Sequence, residues 1–244
     1  PESLTQSLQA LCQQQGVTLY MALLASFALL LSRYSRQKDL VIGSPIANRN
    51  RSETEKLIGF FVNTLVMRCD LNGDPCFVDL LARIREASLE AYAHQDIPFE
   101  KLVEELKPER STAHSPVFQV MFALQNVPLG ETGVSDLNLA PLHFSDDDAE
   151  NTNAVSRFDL TLSLREHITG LSGGIEYNAD LFEHSTIENM VGHFVNLLHA
   201  VVAAPQQRIS CVEFGSPNEI QKILAITSLP PSVPQENINI YKLI

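Results

Sequence analysis

The histidines are the first residues to consider, because histidine most often supplies acid–base catalysis or binds a metal ion near neutral pH. The chain of 244 residues contains seven of them: His94, His114, His143, His167, His184, His193 and His199. No pair has the H-E-x-x-H spacing that places two zinc ligands on one face of a helix. The chain also lacks the G-x-S-x-G turn, the P-loop and the glycine-rich dinucleotide fingerprint. The residues by themselves therefore indicate no self-sufficient active site, and we predict neither a catalytic residue nor a metal site on this chain.

One polar side chain, that of Asn63, falls on the apolar side of a predicted strand. Leu65 and Met67 share its parity in the alternating segment from Thr64 to Leu71. A buried amide that makes no hydrogen bond costs about 1–3 kcal/mol, so Asn63 must have partners. Two interpretations remain open. Asn63 either ties down a neighbouring loop or lines a substrate passage, where Gly59 would allow a close approach to the backbone.

Two further polar segments are associated with prolines. In the segment from His94 to Glu100, polar groups cluster just before a helix that begins near Pro98. Asp96 either caps that helix or belongs to a functional site. The segment from Arg110 to Pro116 leads into the apolar run from Phe118 to Leu124, and by itself it indicates only a turn before a buried central strand.

Charge and cysteine content exclude several function classes. The formal net charge is −12 at pH 7, and an acidic chain does not attract phosphate backbones, so we predict no nucleic-acid partner. The acidic run at residues 146–150 lacks the spacing of a calcium loop and is interpreted as a solvated loop. No two of the four cysteines have C-x-x-C spacing, and we interpret them as free, mostly buried thiols of a cytoplasmic protein.

Hydrophobic periodicity predicts helices and strands in mixed order, which is typical of one α/β layered domain. Helices are expected at residues 3–14, at 19–31 with Thr18 as cap, after Asp74 with Pro75 at the first position, from Pro98, and from Ser185 with Glu188 in a capping box. Strands are expected at residues 40–42, 64–71, 118–124, 158–165 and 175–177.

The ends of the chain and its most apolar stretch bear on domain organisation. Val17 to Leu31 runs for about fifteen residues, whereas a membrane span needs roughly twenty, so we predict a buried core helix and no membrane partner. After residue 213, proline, glycine and serine become frequent, which favours a linker over residues 214–244. Position 1 is a proline with no initiator methionine, so we expect a segment before it.

Three segments resemble core motifs of the condensation domains of nonribosomal peptide synthetases, in the order and spacing of that family. The pattern I-G-x-F-V-N-T, followed by Arg, is matched from Ile58 to Thr64 and at Arg68. The pattern H-Q-D-x-P-F-E is matched from His94 to Glu100, with Ile97 where the family usually has Tyr or Val. The pattern R-D-x-S-R-N-P-L keeps Arg110 and Pro116 but differs at Ser111, Ala113, His114, Ser115 and Val117. The resemblance covers roughly residues 1–213 and includes the typical stretches 41–45 and 118–126.

The resemblance implies an α/β, chloramphenicol-acetyltransferase-like lobe in which a mixed sheet packs against helices. Residues 1–213 would be the carboxy-terminal lobe of a two-lobed domain, and residues 214–244 would lead toward an adenylation domain. The family's substrate tunnel lies between the lobes, which implies channel positions at Ser44, Gly59, Phe61, Asn63 and Arg68. The second motif, with His94, Gln95 and Asp96, would lie near the lobe interface.

The implied reaction is amide formation between two carrier-bound groups. The chain has no H-H-x-x-x-D-G motif, whose histidine serves the reaction in relatives, so we expect it to be inactive alone. It would bind no cofactor itself, since phosphopantetheine is carried by the donor and acceptor carrier proteins. The implied partners are those two proteins, the amino-terminal lobe and the adenylation domain. The alternative is a non-catalytic module that docks carrier proteins or neighbouring domains.

Overall fold

The computed structural model describes most of the chain, with gaps. The described residues are 1–49, 53, 57–108, 115–125, 156–167, 169–216, 219 and 221. The chain divides into a compact unit, Pro1–Phe214, and a second unit, Gly215–Ile244. The linker role that the sequence suggests for the second unit stays a prediction. Arg110 of the third motif and the acidic run at 146–150 lie outside the described residues.

Helices and strands alternate in the mixed order that the sequence predicts. The described helices are α1 (Glu2–Gln15), α2 (Leu19–Ser35), α3 (Phe77–Ala93), α4 (Phe99–Leu106) and α5 (His184–Ala203), followed by a 3₁₀ turn at Ile209–Cys211. The described strands are β1 (Asp39–Ile46), β2 (Asn63–Asp70), β3 (Val120–Gln125), β4 (Leu160–His167) and β5 (Gly170–Tyr177). They form one sheet in the order β2-β1-β3-β4-β5.

The sheet is mixed, as the resemblance implies. Its outer pairs, β1 with β2 and β4 with β5, are antiparallel, whereas β3 lies at the centre and pairs in parallel with β1 and β4. Helices α1, α2, α3 and α5 pack together and against one face of this sheet. The central position predicted for the third strand is confirmed, but only Phe122 in it is fully buried, because helices cover just one face in the described part of the chain.

Strand parity divides the side chains between two faces. The helix-covered face carries the apolar residues of each strand, among them Ile42, Leu65, Met67, Phe122, Leu160 and Leu162. The opposite face, called here the open face, carries the alternate residues, among them Gly43, Thr64, Arg68, Met121, Thr161 and Glu176. A ligand that approaches the open face can reach the sheet without displacing the main core.

Helix α2 forms the centre of the core, as its composition predicts. Every residue from Met21 to Leu31 is buried, and the Thr18 hydroxyl caps the helix by accepting a hydrogen bond from the Met21 backbone N–H at 3.2 Å. Among the described residues, no single helix is long and apolar enough to cross a membrane. Helices α1 and α2 reach that length and composition only as a pair, which is bent by 104°.

Three predicted helix caps are wrong, and each has a structural reason. Helix α3 begins at Phe77 with Cys76 as its N-cap, so Asp74 does not cap it. The Phe77 and Val78 N–H groups instead donate to backbone carbonyls of residues 207 and 205, which replace a capping side chain. Helix α5 begins one residue before Ser185 and has no side-chain cap.

Asp96 does not cap α4, which begins at Phe99 after Pro98. The Phe99 N–H donates to the side-chain oxygen of Asn63 at 3.1 Å, so a residue more than thirty positions earlier takes the role that sequence proximity assigned to Asp96. Capping groups that come from another segment leave no local pattern in the sequence.

The segment 204–214, called here the C-terminal strap, crosses the helical layer and is held by Arg33 of α2. The Arg33 guanidinium donates to the carbonyls of Ile209 at 2.5 Å and Ser210 at 2.7 Å, and it lies 5.8 Å from the Phe214 ring centroid. At the same residue of the strap, the Asp74 carboxylate accepts hydrogen bonds from the Ser210 N–H and hydroxyl. These bonds join three distant parts of the sequence.

The Arg33→Met variant should lower the free energy of unfolding by about 2 kcal/mol, because it keeps the aliphatic stem but removes charged hydrogen bonds to strap carbonyls. Chemical denaturation monitored by circular dichroism measures this change. The matched control is Arg85→Met, at an exposed position of α3, which should change stability by about 0.5 kcal/mol or less. Equal losses in the two variants would contradict the role given to Arg33.

Thiol reactivity should separate the four cysteines, all of which are free. Burial raises the pKa of the Cys12 thiol to about 11 and that of Cys69 to about 12, so neither forms much thiolate near neutral pH. A colorimetric thiol titration of the folded protein at pH 8 should therefore show fast reaction at exposed Cys211, slower reaction at half-buried Cys76, and reaction of the other two only in denaturant. Four equally fast thiols would be inconsistent with this burial.

Candidate functional site

Asn63 begins β2 on the helix-covered face, as its strand parity predicts, and is only 9% exposed. Its side-chain N–H groups donate to the carbonyls of Gln95 at 2.9 Å and Ile97 at 2.8 Å. Its side-chain oxygen accepts from the N–H groups of Thr64 at 2.9 Å and Phe99 at 3.1 Å. The amide is therefore fully hydrogen-bonded and ties down the neighbouring loop, which is the first of the two interpretations. The substrate-passage role stays a prediction.

The second motif follows the end of α3 and is shaped by these bonds. His94 is the C-cap residue of α3, and Gln95 and Ile97 present their carbonyls to Asn63. The side chains of His94 and Asp96 are exposed and make no hydrogen bond to the described residues. Within this segment the backbone is fixed while the polar side chains stay accessible, so their predicted place near a lobe interface remains a prediction.

The loop before β2, residues 57–62, exposes apolar side chains. Ile58 is 105% exposed and Phe60 is 92% exposed. Arg49 holds the loop in place, because its guanidinium donates to the Leu57 carbonyl at 2.7 Å and lies 4.4 Å from the centroid of the Phe61 ring. Arg49 was not singled out from the sequence, since an Arg in a polar loop gives no sign of a partner eight residues away. A loop that is held by such contacts and exposes apolar side chains is typical of a contact surface.

Gly59 lies close to the Phe61 ring of this loop. A side-chain carbon at this position would come within 3.0 Å of the Phe61 ring. The close approach that the sequence predicts at Gly59 is therefore made by the Phe61 ring of the same loop. Both residues stay candidates for the channel.

The other two predicted channel residues lie apart from this loop. Arg68 is on the open face near the far end of β2, about 17 Å from Asn63 along the strand. Its side chain is 73% exposed and forms a two-bond ion pair with Asp39, which holds the pKa of the Asp39 carboxyl below its usual value. This ion pair links β2 to β1. The channel role of Arg68 stays a prediction.

Ser44 is 2% exposed and lies on the helix-covered face opposite Leu65. The hydroxyl of Tyr20 lies nearby. Burial raises the pKa of the Tyr20 hydroxyl, and the nearby Ser44 side chain partly offsets this rise. In the described part of the chain, the Tyr20 oxygen makes no hydrogen bond of ordinary geometry. Ser44 thus belongs to the interior beside Tyr20, and a ligand on the open face does not meet it.

A cavity of about 700 Å³ lies on the open face, and we call it the open-face pocket. It is lined by Pro45, Val62, Thr64, Phe99, Ser115, Pro116, Phe118, Met121, Arg157, Phe158, Thr161 and Glu176. All three resembling motif segments reach it, through Val62 and Thr64, through Phe99, and through Ser115 and Pro116. The pocket is therefore the place where the motif segments meet on this chain.

An aromatic wall bounds one side of this pocket. The Phe118 ring lies 5.4 Å from the ring centroids of both Phe99 and Phe158, and it is buried without belonging to the main core. The ring rests on Gly43, where a side-chain carbon would come within 2.2 Å of it. Since Gly43 lies on β1 beside Met121 of β3, the missing side chain leaves the open face flat enough to seat the ring.

The floor and far edge of the pocket are polar. Met121, Thr161 and Glu176 stand in register on β3, β4 and β5, and Thr64 comes from β2. The pocket thus combines three hydroxyls, a carboxylate and a guanidinium, that of Arg157, with three aromatic rings. Such a surface can orient a polar acyl chain by hydrogen bonds while it packs an apolar side chain. In the described part of the chain, no three His, Cys, Asp or Glu side chains are grouped so as to hold a metal ion.

Most residues of this pocket were missed by sequence reasoning, although part of the signal was present. The alternation of β4 places Thr161 on the face of the sheet that its leucines do not occupy. Glu176 lies on that same face because it pairs with Thr161. The aromatic wall left no such signal, since its rings come from three separate segments.

Comparison with known proteins decides the family. The model of the condensation domain family matches residues 1–224. The chain belongs to the condensation domain family. One of the linear gramicidin synthase proteins of Brevibacillus parabrevis is 51% identical over 218 residues, which cover 89% of this chain and 3% of that protein. The resemblance found from the three motifs to condensation domains of nonribosomal peptide synthetases is confirmed.

Solved structures confirm the α/β fold. A four-domain nonribosomal peptide synthetase, holo-AB3403 bound to AMP and glycine, has a TM-score of 0.76 at 24% identity, over 90% of this chain and 17% of that chain. The X-domain from teicoplanin biosynthesis has a TM-score of 0.73 at 29% identity, over 87% of this chain and 47% of that one. A complex of the X-domain with OxyB gives the same score and identity. The condensation-domain chain thus spans about half of the X-domain and a few per cent of the gramicidin synthase protein.

The Asn63→Ala variant should lower the free energy of unfolding by about 3 kcal/mol, because it removes four hydrogen bonds and leaves partly buried backbone groups of the second motif without these partners. Thermal and chemical denaturation measure the change. The control is Asn196→Ala, which removes a single side-chain hydrogen bond, to the Phe214 carbonyl, and should cost about 1 kcal/mol. A loss for Asn63→Ala no larger than for the control would show that the loop does not depend on this amide.

Proposed function

We propose that this chain is the carboxy-terminal lobe of a condensation domain that forms amide bonds between carrier-bound aminoacyl or peptidyl groups in nonribosomal peptide synthesis. Family membership supports the reaction class. The observation that carries the proposal is the open-face pocket, where all three motif segments meet on a surface that combines hydroxyls, a carboxylate and aromatic rings. The pocket can orient an acyl group without supplying an acid–base catalyst.

In the proposed reaction, the acceptor amine attacks the carbonyl carbon of the donor thioester. A C–N bond forms, the C–S bond breaks, and the proton lost by the amine balances the thiolate that leaves. A histidine of the amino-terminal lobe would move this proton, because this chain has no H-H-x-x-x-D-G motif. The contribution of this lobe is to hold the two reacting groups in line, which by itself can account for a large part of a rate enhancement.

The proposed partners follow from the exposed surfaces. The loop 57–62 presents Ile58 and Phe60 to solvent beside the pocket residue Val62. An apolar surface next to the pocket fits the amino-terminal lobe, which would close the channel from the other side. Donor and acceptor carrier proteins would deliver their phosphopantetheine arms to this channel, and an adenylation domain would follow Gly215–Ile244.

A non-catalytic docking module is the second candidate. The X-domain, which is similar to this chain at 29% identity, has been solved in a complex with OxyB. A chain of the same fold could serve in the same way, as a surface that binds another protein. This candidate predicts that the parent protein binds its partner but forms no peptide.

The parent protein that contains this chain should form a dipeptide from loaded donor and acceptor carrier proteins, as detected by mass spectrometry, whereas the 244-residue chain alone should form none. The reason is that the chain holds the substrates but has no group to move the proton. A mixture that lacks the acceptor carrier protein is the control for hydrolysis and self-transfer.

Dipeptide from the chain alone would contradict the division of roles between the lobes. An inactive parent that still binds carrier proteins with its histidine motif intact would favour the docking module.

A further inference from the structure

Glu176 is the only carboxylate among the described residues that line the open-face pocket. It lies on β5, directly opposite Thr161 of β4, with its side chain on the open face. The side chain is exposed and makes no hydrogen bond or ion pair with the described residues. Arg157, the cation of the same pocket, lies 5.9 Å from the centroid of the Phe158 ring and forms no ion pair with Glu176. The carboxylate is therefore free to bind a group that enters the pocket.

The surroundings of Glu176 fit an amine. An ionised carboxylate only accepts hydrogen bonds, so its partner must carry N–H or O–H groups. The Phe158 ring, half-buried on the wall of the pocket, can attract positive charge, whereas Phe118 is buried beneath it. A carboxylate and an aromatic ring in one cavity are two features that protein sites combine to bind ammonium groups, and the Thr161 hydroxyl beside Glu176 adds a neutral donor and acceptor.

We infer that Glu176 is a positioning residue that binds the free primary amine of the acceptor aminoacyl group. The inference rests on the proposed function and specifies which substrate this pocket receives. The acceptor must present a free amine, whereas the nitrogen of a peptidyl donor is an amide that carries no charge. Glu176 accepts hydrogen bonds from the amine both as an ammonium group and after it has lost its proton, so the contact persists until the nitrogen attacks.

The test measures binding rather than turnover. An aminoacyl-pantetheine analogue in which an amide replaces the thioester cannot react, and isothermal titration with the parent protein gives its affinity. The same analogue with an acetylated amine is the comparison ligand. The unsubstituted parent should bind the free amine about tenfold more tightly than the acetylated form, and Glu176→Gln should remove this preference. Glu176→Asp, which keeps the charge, should retain part of it.

The matched control is Glu86→Gln, at an exposed position of α3 away from the pocket, which should keep the full preference. A parent that binds both ligands equally, or a Glu176→Gln variant that keeps its preference, would overturn the inference. Dipeptide formation by the unsubstituted parent is measured separately. A failure there would affect the proposed function, while the binding preference would still report on Glu176.

Discussion

The side-chain amide of Asn63 couples two motif segments, and the geometry of the pocket depends on it. By bonding to the carbonyls of Gln95 and Ile97 and to the N–H of Phe99, it fixes the start of α4 against the start of β2. The Phe99 ring, placed in this way, packs against Phe118 in the aromatic wall. Asn63 thus shapes the open-face pocket without lining it, so a residue of a functional motif can affect the site through backbone placement alone.

A second constraint is the absence of a side chain at Gly43. The Phe118 ring occupies the space that even an alanine at this position would fill, so the ring can contact the backbone of β1 only because residue 43 is glycine. Because the same ring stacks on Phe158, this one glycine determines how the segments before β3 and before β4 meet. The helical layer could form without this contact, since Phe118 lies outside the main core, but the open face would lose its wall.

How much of this structure the sequence predicted depends on how far apart along the chain the interacting residues lie. Alternation within one strand was enough to predict that Asn63 lies on the buried face of β2. The apolar composition of one segment was likewise enough to predict the core helix α2. The cap predicted at Asp74 was wrong because the N–H groups of α3 bond to the C-terminal strap, about 130 residues later. The pocket was missed for the same reason, since its walls come from separate segments that only the parallel register of β3 and β4 brings together.

The remaining feature is a set of polar and apolar groups that have few contacts among the described residues of the chain. Glu176 and Arg157 lie in one pocket without pairing, and Ile58 and Phe60 stay in water on a loop that Arg49 holds rigid. The loop is held by hydrogen bonds and yet leaves Ile58 and Phe60 exposed. Such a surface is typical of one that another protein covers. Exposed apolar groups favour contact with a protein, whereas an unpaired carboxylate beside aromatic rings favours a cation. The loop precedes β2 and Glu176 lies on β5, so the two features are at opposite edges of the sheet. A partner that covered the open face from edge to edge would therefore contact the loop, desolvate the pocket and strengthen whatever Glu176 binds.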